Sequence, residues 1–179
     1  MVNNSLQRVF YKVEGPASGP AVVFLHGIAL NHRTFDPQIR ELSRRYRVIL
    51  LDLPSHGKSA DVKFGSRFSW AAADCAVSVL DELGVEEAVF VGQSLGSLVV
   101  QHIVDRHRRR VAATVHLGGM PLFPGYPKYV GFLLKPICAV SRLIPAKMFY
   151  RSFAAHRAIR EETKRFLEAT IAETGKNLV

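Results

Sequence analysis

The chain has 179 residues, 48% of them apolar and 22% charged, with a formal net charge of +9. This length suits one domain with an appendage, and the composition excludes a disordered, fibrous or disulfide-framed class. The opening lacks the apolar run of a secretory signal, and the longest apolar stretch, 129–144, is broken by Lys135, Pro136 and Arg142, so neither an export signal nor a transmembrane helix is expected.

Residues 8–13 alternate apolar and polar side chains ahead of a turn at 15–20, which predicts an early antiparallel strand. Continuous apolar runs follow at 21–25, 48–51, 88–91 and 111–117, each suited to a strand buried on both faces. Between them the apolar spacing is helical. Phe35, Ile39, Leu42 and Tyr46 mark the first helix, and Phe68, Ala72, Cys75, Val79 and Leu83, stopped by Gly84, mark the second. The third covers 95–107. This alternation predicts an α/β fold: a mostly parallel sheet with helices on both faces and functional groups at the carboxyl ends of its strands.

Past Pro121 the strand signals stop, and Pro124, Pro127, Pro136 and Pro145 punctuate short pieces. Residues 159–174 predict one amphipathic helix, with Ile159, Thr163, Phe166, Leu167, Thr170 and Ile171 on a face. The expected division is a core over residues 1–121 and a helical cap over 122–179. The cap holds 10 of the 24 Lys and Arg but 4 of the 15 Asp and Glu, so the excess charge is concentrated there. The densest basic run, 106–110, is read as a solvated helix end whose cations complement the carbonyl pole. Phe132, Leu133, Leu134 and Ile137 are not interleaved with positive charge, so no nucleic-acid partner is expected, and membrane-surface contact ranks low. Cys75 and Cys138 have no metal-ligand spacing, which suits two reduced, buried thiols in a cytoplasmic protein.

Three segments carry chemistry. The sharpest is Val89-Phe-Val-Gly-Gln-Ser-Leu-Gly96, an apolar strand, then Gly92-x-Ser94-x-Gly96, then a helix. A tight turn of this kind strains the serine and presents its hydroxyl above the sheet, so Ser94 is the candidate nucleophile. The second is His26-Gly27 after the first buried run. Attack on an acyl carbon creates an oxyanion that backbone amides from two loops must meet, and by chain order those of Ile28 and Leu95 are the candidates. His26 itself is read as a turn histidine bonded to nearby backbone. The third is Asp52-Leu-Pro-Ser-His-Gly-Lys-Ser59 after the second buried run.

Together these segments resemble the α/β-hydrolase superfamily, in its serine esterase or lipase-like branch, over about the first 121 residues. Many members have a glycine before the His-Gly of the third segment, where this chain has Ser55. The resemblance implies that Asp52 and His56 are structural and that Ser59 and Ser97 are turn or capping hydroxyls. A serine at the elbow weighs against the dehalogenase and epoxide hydrolase branches, whose nucleophile is an aspartate. No metal or organic cofactor is implied, and the expected partner is a hydrophobic small-molecule acyl substrate.

The resemblance also implies an acid after a later strand and a histidine after the last, and no such strand is read here. His102 lies eight residues along the helix from Ser94, about 12 Å and beyond hydrogen-bond reach. His116 is read as packing from a sheet strand, and His156, in the cap, is the remaining histidine that could serve. The expectation is a truncated serine hydrolase, poorly active as this chain. The alternative is a non-catalytic ligand-binding module or half of a split protein.

Overall fold

The computed structural model describes residues 8–64, 68–119 and 161–174. Five strands form one sheet: β1 (Tyr11–Glu14), β2 (Ala21–Leu25), β3 (Arg47–Leu51), β4 (Ala88–Gln93) and β5 (Val111–Leu117). The strand order is β1-β3-β2-β4-β5; β1 runs antiparallel to β3, and every other pair is parallel. The described helices are α1 (Asp36–Leu42), α2 (Phe68–Glu82), α3 (Leu95–Arg106) and α4 (Glu161–Thr174). This is the α/β architecture that the alternation of runs predicts.

The apolar runs are continuous because β2, β3 and β4 bury both faces, and successive side chains point to opposite sides of a strand. On one side Val23, Leu25, Ile49, Leu51 and Phe90 pack with residues of α2 and α3, among them Leu80, Val99 and Ile103. On the other, Val22, Phe24, Val48, Leu50 and Val91 pack with Phe35 and Ile39. Each such side chain, fully buried, contributes about 1.5–3 kcal/mol of hydrophobic stabilisation before conformational entropy is set against it.

Helix α1 is shorter than its apolar spacing predicts. It ends at Leu42, and Tyr46, whose amide donates to Leu42 O at 2.9 Å, follows in a turn yet still packs on the same cluster. Helix α2 stops where Gly84 takes φ +64°, a left-handed conformation that glycine adopts without steric cost, and the Val85 amide returns to Leu80 O at 2.9 Å.

The run 111–117 forms a strand but is not buried on both faces: Val111 is buried, whereas Ala112, Ala113, Val115, His116 and Leu117 are exposed. Among the described residues β5 is a sheet edge, which accounts for that exposure. The basic run before it is less free than a solvated face. Arg106 bonds Asp74 at 3.1 Å, Arg108 bonds Val111 O at 3.0 Å, and Arg110 reaches Asp81 and two carbonyls.

Helix α4 buries Thr170, Ile171 and Thr174, with Phe166 and Leu167 half-buried and Thr163 exposed. Ile159, Cys138, His156 and the rest of 120–160 lie outside the described residues. None of the described helices is long and apolar enough to cross a membrane.

Candidate active site

Ser94 lies between the end of β4 and the start of α3 with φ 49° and ψ −108°. A non-glycine residue there stores on the order of 1–3 kcal/mol of strain, which the surroundings must hold in place. Its amide donates to Leu117 O at 3.0 Å, and its carbonyl accepts from the Ser97 and Leu98 amides at 3.0 and 3.3 Å. The flanking glycines are required by close backbone approach. A Cβ at Gly92 would lie 2.5 Å from Gly96 O, and one at Gly96 would lie 2.0 Å from Leu25 O. The first turn of α3 thus sits directly on the backbones of β4 and β2.

The two segments that carry the candidate oxyanion donors meet at this turn. A Cβ at Gly27 would lie 3.5 Å from the Ser94 Cβ, so the loop after β2 stands against the serine. Ile28 follows, with 47% of its surface exposed, and then Ala29, which is buried with φ +63°. The Leu30 amide closes this turn on Gly27 O at 3.3 Å. Leu95 is the first residue of α3, within the helical turn whose amides have no intrahelical acceptor.

Beneath these loops lies a buried polar network. His26 is fully buried; Nδ1–H donates to Gly27 O at 2.8 Å and Nε2 accepts from the Leu53 amide at 2.9 Å. Burial, and then the nearby His56, push its pKa down to about 3, so the ring is neutral and ties the loop after β2 to the loop after β3. His56 donates from Nδ1 to Pro54 O at 2.8 Å, and burial lowers its pKa as well.

Asp52 has no exposed surface. Burial opposes its charge, but hydrogen bonds from the His32 ring (2.8 Å), the His32 amide (2.7 Å) and the Lys58 amide (2.8 Å) outweigh it and hold the carboxyl below its ordinary range. Ser59 donates from its hydroxyl to Asp52 O at 2.9 Å and accepts from the Phe10 amide at 2.8 Å. With both carboxylate oxygens occupied by the polypeptide, Asp52 fastens the loop after β3 to the turn after β2.

His116 does not pack into the fold. It is exposed on β5, and its Nδ1 lies 2.5 Å from the hydroxyl of buried Ser97. The sequence reading misses this because an edge strand leaves its alternating side chains outside the core. The remaining described histidines are engaged elsewhere: His32 with Asp52, His102 edge-on to Trp70, and His107 with Asp74 at 2.8 Å. Burial, and then Asp74, raise the Cys75 thiol to about 11, which makes it a poor nucleophile. Among the described residues no cluster of three or more His, Cys, Asp or Glu could hold a metal.

Sequence reasoning also misses Asn31. Its Oδ1 accepts from the Arg33 amide at 3.0 Å, the capping role that an asparagine before a helical stretch signals. Its Nδ2 donates to Thr170 O of α4 at 3.1 Å, a partner 139 residues away that no local pattern reveals.

A mostly parallel sheet with a strained G-x-S-x-G serine at the carboxyl end of a strand, faced by the loop of the neighbouring strand, is the geometry of an α/β-hydrolase nucleophile elbow. The chain belongs to the alpha/beta hydrolase fold family, whose model matches residues 20–136. It is 41% identical over 115 residues to a non-heme haloperoxidase of Rhodococcus erythropolis; the match covers 63% of this chain and 41% of that protein. It is 36% identical over 115 residues to the bifunctional esterase/perhydrolase DCH of Acinetobacter calcoaceticus, with the same two coverages. The chain thus spans about two fifths of the length of these curated relatives. A crystal structure of a hydrolase from Pseudomonas aeruginosa PA01 superposes with a TM-score of 0.78 at 22% identity, covering 95% of this chain and 64% of that one, a likeness of fold.

Proposed function

We propose that this chain is the nucleophile-bearing part of a serine hydrolase that acts on a carboxylic ester or thioester through an acyl-enzyme at Ser94. The observation that carries this reading is the backbone of Ser94, φ 49° and ψ −108°, in a one-residue turn between β4 and α3 where Gly92 and Gly96 leave no room for a side chain. The Ser94 hydroxyl attacks the acyl carbon, and the oxyanion is met by the Ile28 and Leu95 amides. The alkoxide or thiolate leaves with a proton, and water then releases the acid. Relatives that include an esterase/perhydrolase support ester chemistry, and the apolar surroundings of the loop after β2 suit a hydrophobic acyl group. A cytoplasmic location fits the reduced Cys75.

The turnover this reading requires depends on a base that reaches Ser94. The described histidines are hydrogen-bonded elsewhere or, for His102, set edge-on to Trp70, and His156 lies outside the described residues. Reaction of the folded chain with a fluorophosphonate probe, with Ser94→Ala as control, tests the reading. Labelling that disappears in Ser94→Ala is the expected result. Absence of labelling would leave a ligand-binding module, or half of a split protein, as the better account.

A further inference from the structure

The turn after β2 combines three features. It lies against Ser94, it contains a strained non-glycine residue, and a helix distant in sequence is fastened to it. Ala29 takes φ +63°, a left-handed conformation that an L-residue adopts only at a cost, and it directly follows Ile28. Such a conformation persists when its surroundings over-determine it. The surroundings here include the bonds of His26 and His32 on one side of the turn and α4 on the other. Ile171, with no exposed surface, packs with Ala29 and Leu30, each 2% exposed, and Leu167 leans on the same cluster. Asn31 donates to Thr170 O at 3.1 Å, and Arg33 is paired with Glu173. One apolar contact, one buried hydrogen bond and one surface ion pair therefore join α4 to residues 29–33.

We propose that α4 is a clamp on the oxyanion turn, with Asn31 and Ile171 as positioning residues that set the Ile28 amide relative to Ser94; this rests on the hydrolase reading above. Neither side chain touches a reacting atom. Their effect runs through the turn, whose free backbone would relax away from the strained Ala29 conformation and carry the Ile28 amide with it. Displacement of a donor by about 1 Å is enough to cost on the order of 100-fold in rate, because an oxyanion donor acts only at the correct distance. Substrate binding by apolar contact is much less sensitive to that displacement.

Two variants of the full chain separate the clamp from the fold. Asn31→Asp keeps the oxygen that caps Arg33 and removes the donor to Thr170 O, whereas Ile171→Ala removes the apolar contact. Two readouts are used. The first is hydrogen exchange of the Leu30 amide, which closes the turn on Gly27 O. The second is the rate of fluorophosphonate labelling at saturating and limiting probe. Both variants are expected to speed Leu30 exchange about tenfold or more while amides of β2 and β3 keep their protection, and to slow the saturated labelling rate more than they weaken probe binding.

Unchanged Leu30 exchange in both variants overturns the clamp, whatever the chemistry does. Faster exchange with unaltered labelling shows a clamp on a turn that does not position the donor, and it too overturns the proposal while leaving Ser94 as nucleophile. No labelling of the wild-type chain removes the hydrolase reading and the positioning role together, even if exchange responds.

Discussion

At the scale of single residues, His26 joins the loop beside Ser94 to the loop after β3 by a bond that responds to acid. Its ring is useful to the fold only when neutral, because protonated Nε2 cannot accept from the Leu53 amide. In the unfolded chain it takes a proton near 6.5; in the fold burial and His56 delay this to about 3. Between those values the unfolded state binds more protons, so stability rises with pH; His26's contribution is complete above about 6.5 and shrinks as pH falls toward 3. The lowered pKa of His56 acts in the same direction. Asp52, held below 3.8, keeps its contribution until pH falls beneath that value, so the loss between pH 6.5 and 4 belongs to the histidines. Urea unfolding at pH 7.5 and pH 5 is expected to show a drop of about 2 kcal/mol from His26 alone. His26→Asn, which can offer an oxygen to Leu53 and an amide hydrogen to Gly27, should flatten this slope. An unaltered slope would place the acid sensitivity at another group.

At the scale of elements, the junction of β4 and α3 holds a serine in a strained backbone conformation. The φ of 49° with ψ −108° at Ser94 is tolerated by glycine and resisted by every residue with a Cβ. Ser94→Gly is therefore expected to be more stable than Ser94→Ala by about 1 kcal/mol, strain relief exceeding the extra entropy glycine gains on unfolding. Matched urea midpoints of the two variants check this, and a less stable glycine variant would mean that the turn is unstrained. This junction was legible in the sequence because Gly92, Ser94 and Gly96 occupy fixed places in a strand-turn-helix pattern. Strands β2, β3 and β4 were legible because burial on both faces produces unbroken apolar runs. The exposure of β5 was not, since 111–117 has the same composition whether or not another strand covers it. Nor was the end of α1 at Leu42, because Tyr46 packs on the cluster as a further helical turn would. The docking of α4 on Asn31 escaped because it joins residues far apart in sequence through a backbone carbonyl.

Across the whole molecule the two ends of the sheet do different work. The carboxyl ends of β2, β3 and β4 open into the loops that hold Gly27, Asp52 and Ser94, with α4 fastened across the first of them. The amino ends are closed by arginines that bond the carbonyls following α2. Arg47 donates to Leu83 O at 3.1 Å, and Arg110 donates to Val85 O and Glu86 O at 2.6 Å each. A cleft of about 360 Å³ at that end, lined in part by Pro20, Arg47, Gly84 and Ala112, is separated from Ser94 by the length of the strands. Two chemically different substitutions should therefore divide stability from reactivity. Arg110→Met removes two charged donors from backbone carbonyls and is expected to cost about 1–2 kcal/mol in urea unfolding, its exposed pairing with Asp81 adding little. The same variant, measured well below its unfolding midpoint, should react with a fluorophosphonate at the wild-type rate, because Arg110 bonds carbonyls at the amino end of the sheet and none of its partners belongs to the loops around Ser94. A labelling rate that fell with stability in Arg110→Met would show that the elbow is governed by the state of the whole sheet, and that the loops at its carboxyl end are not an independently held assembly.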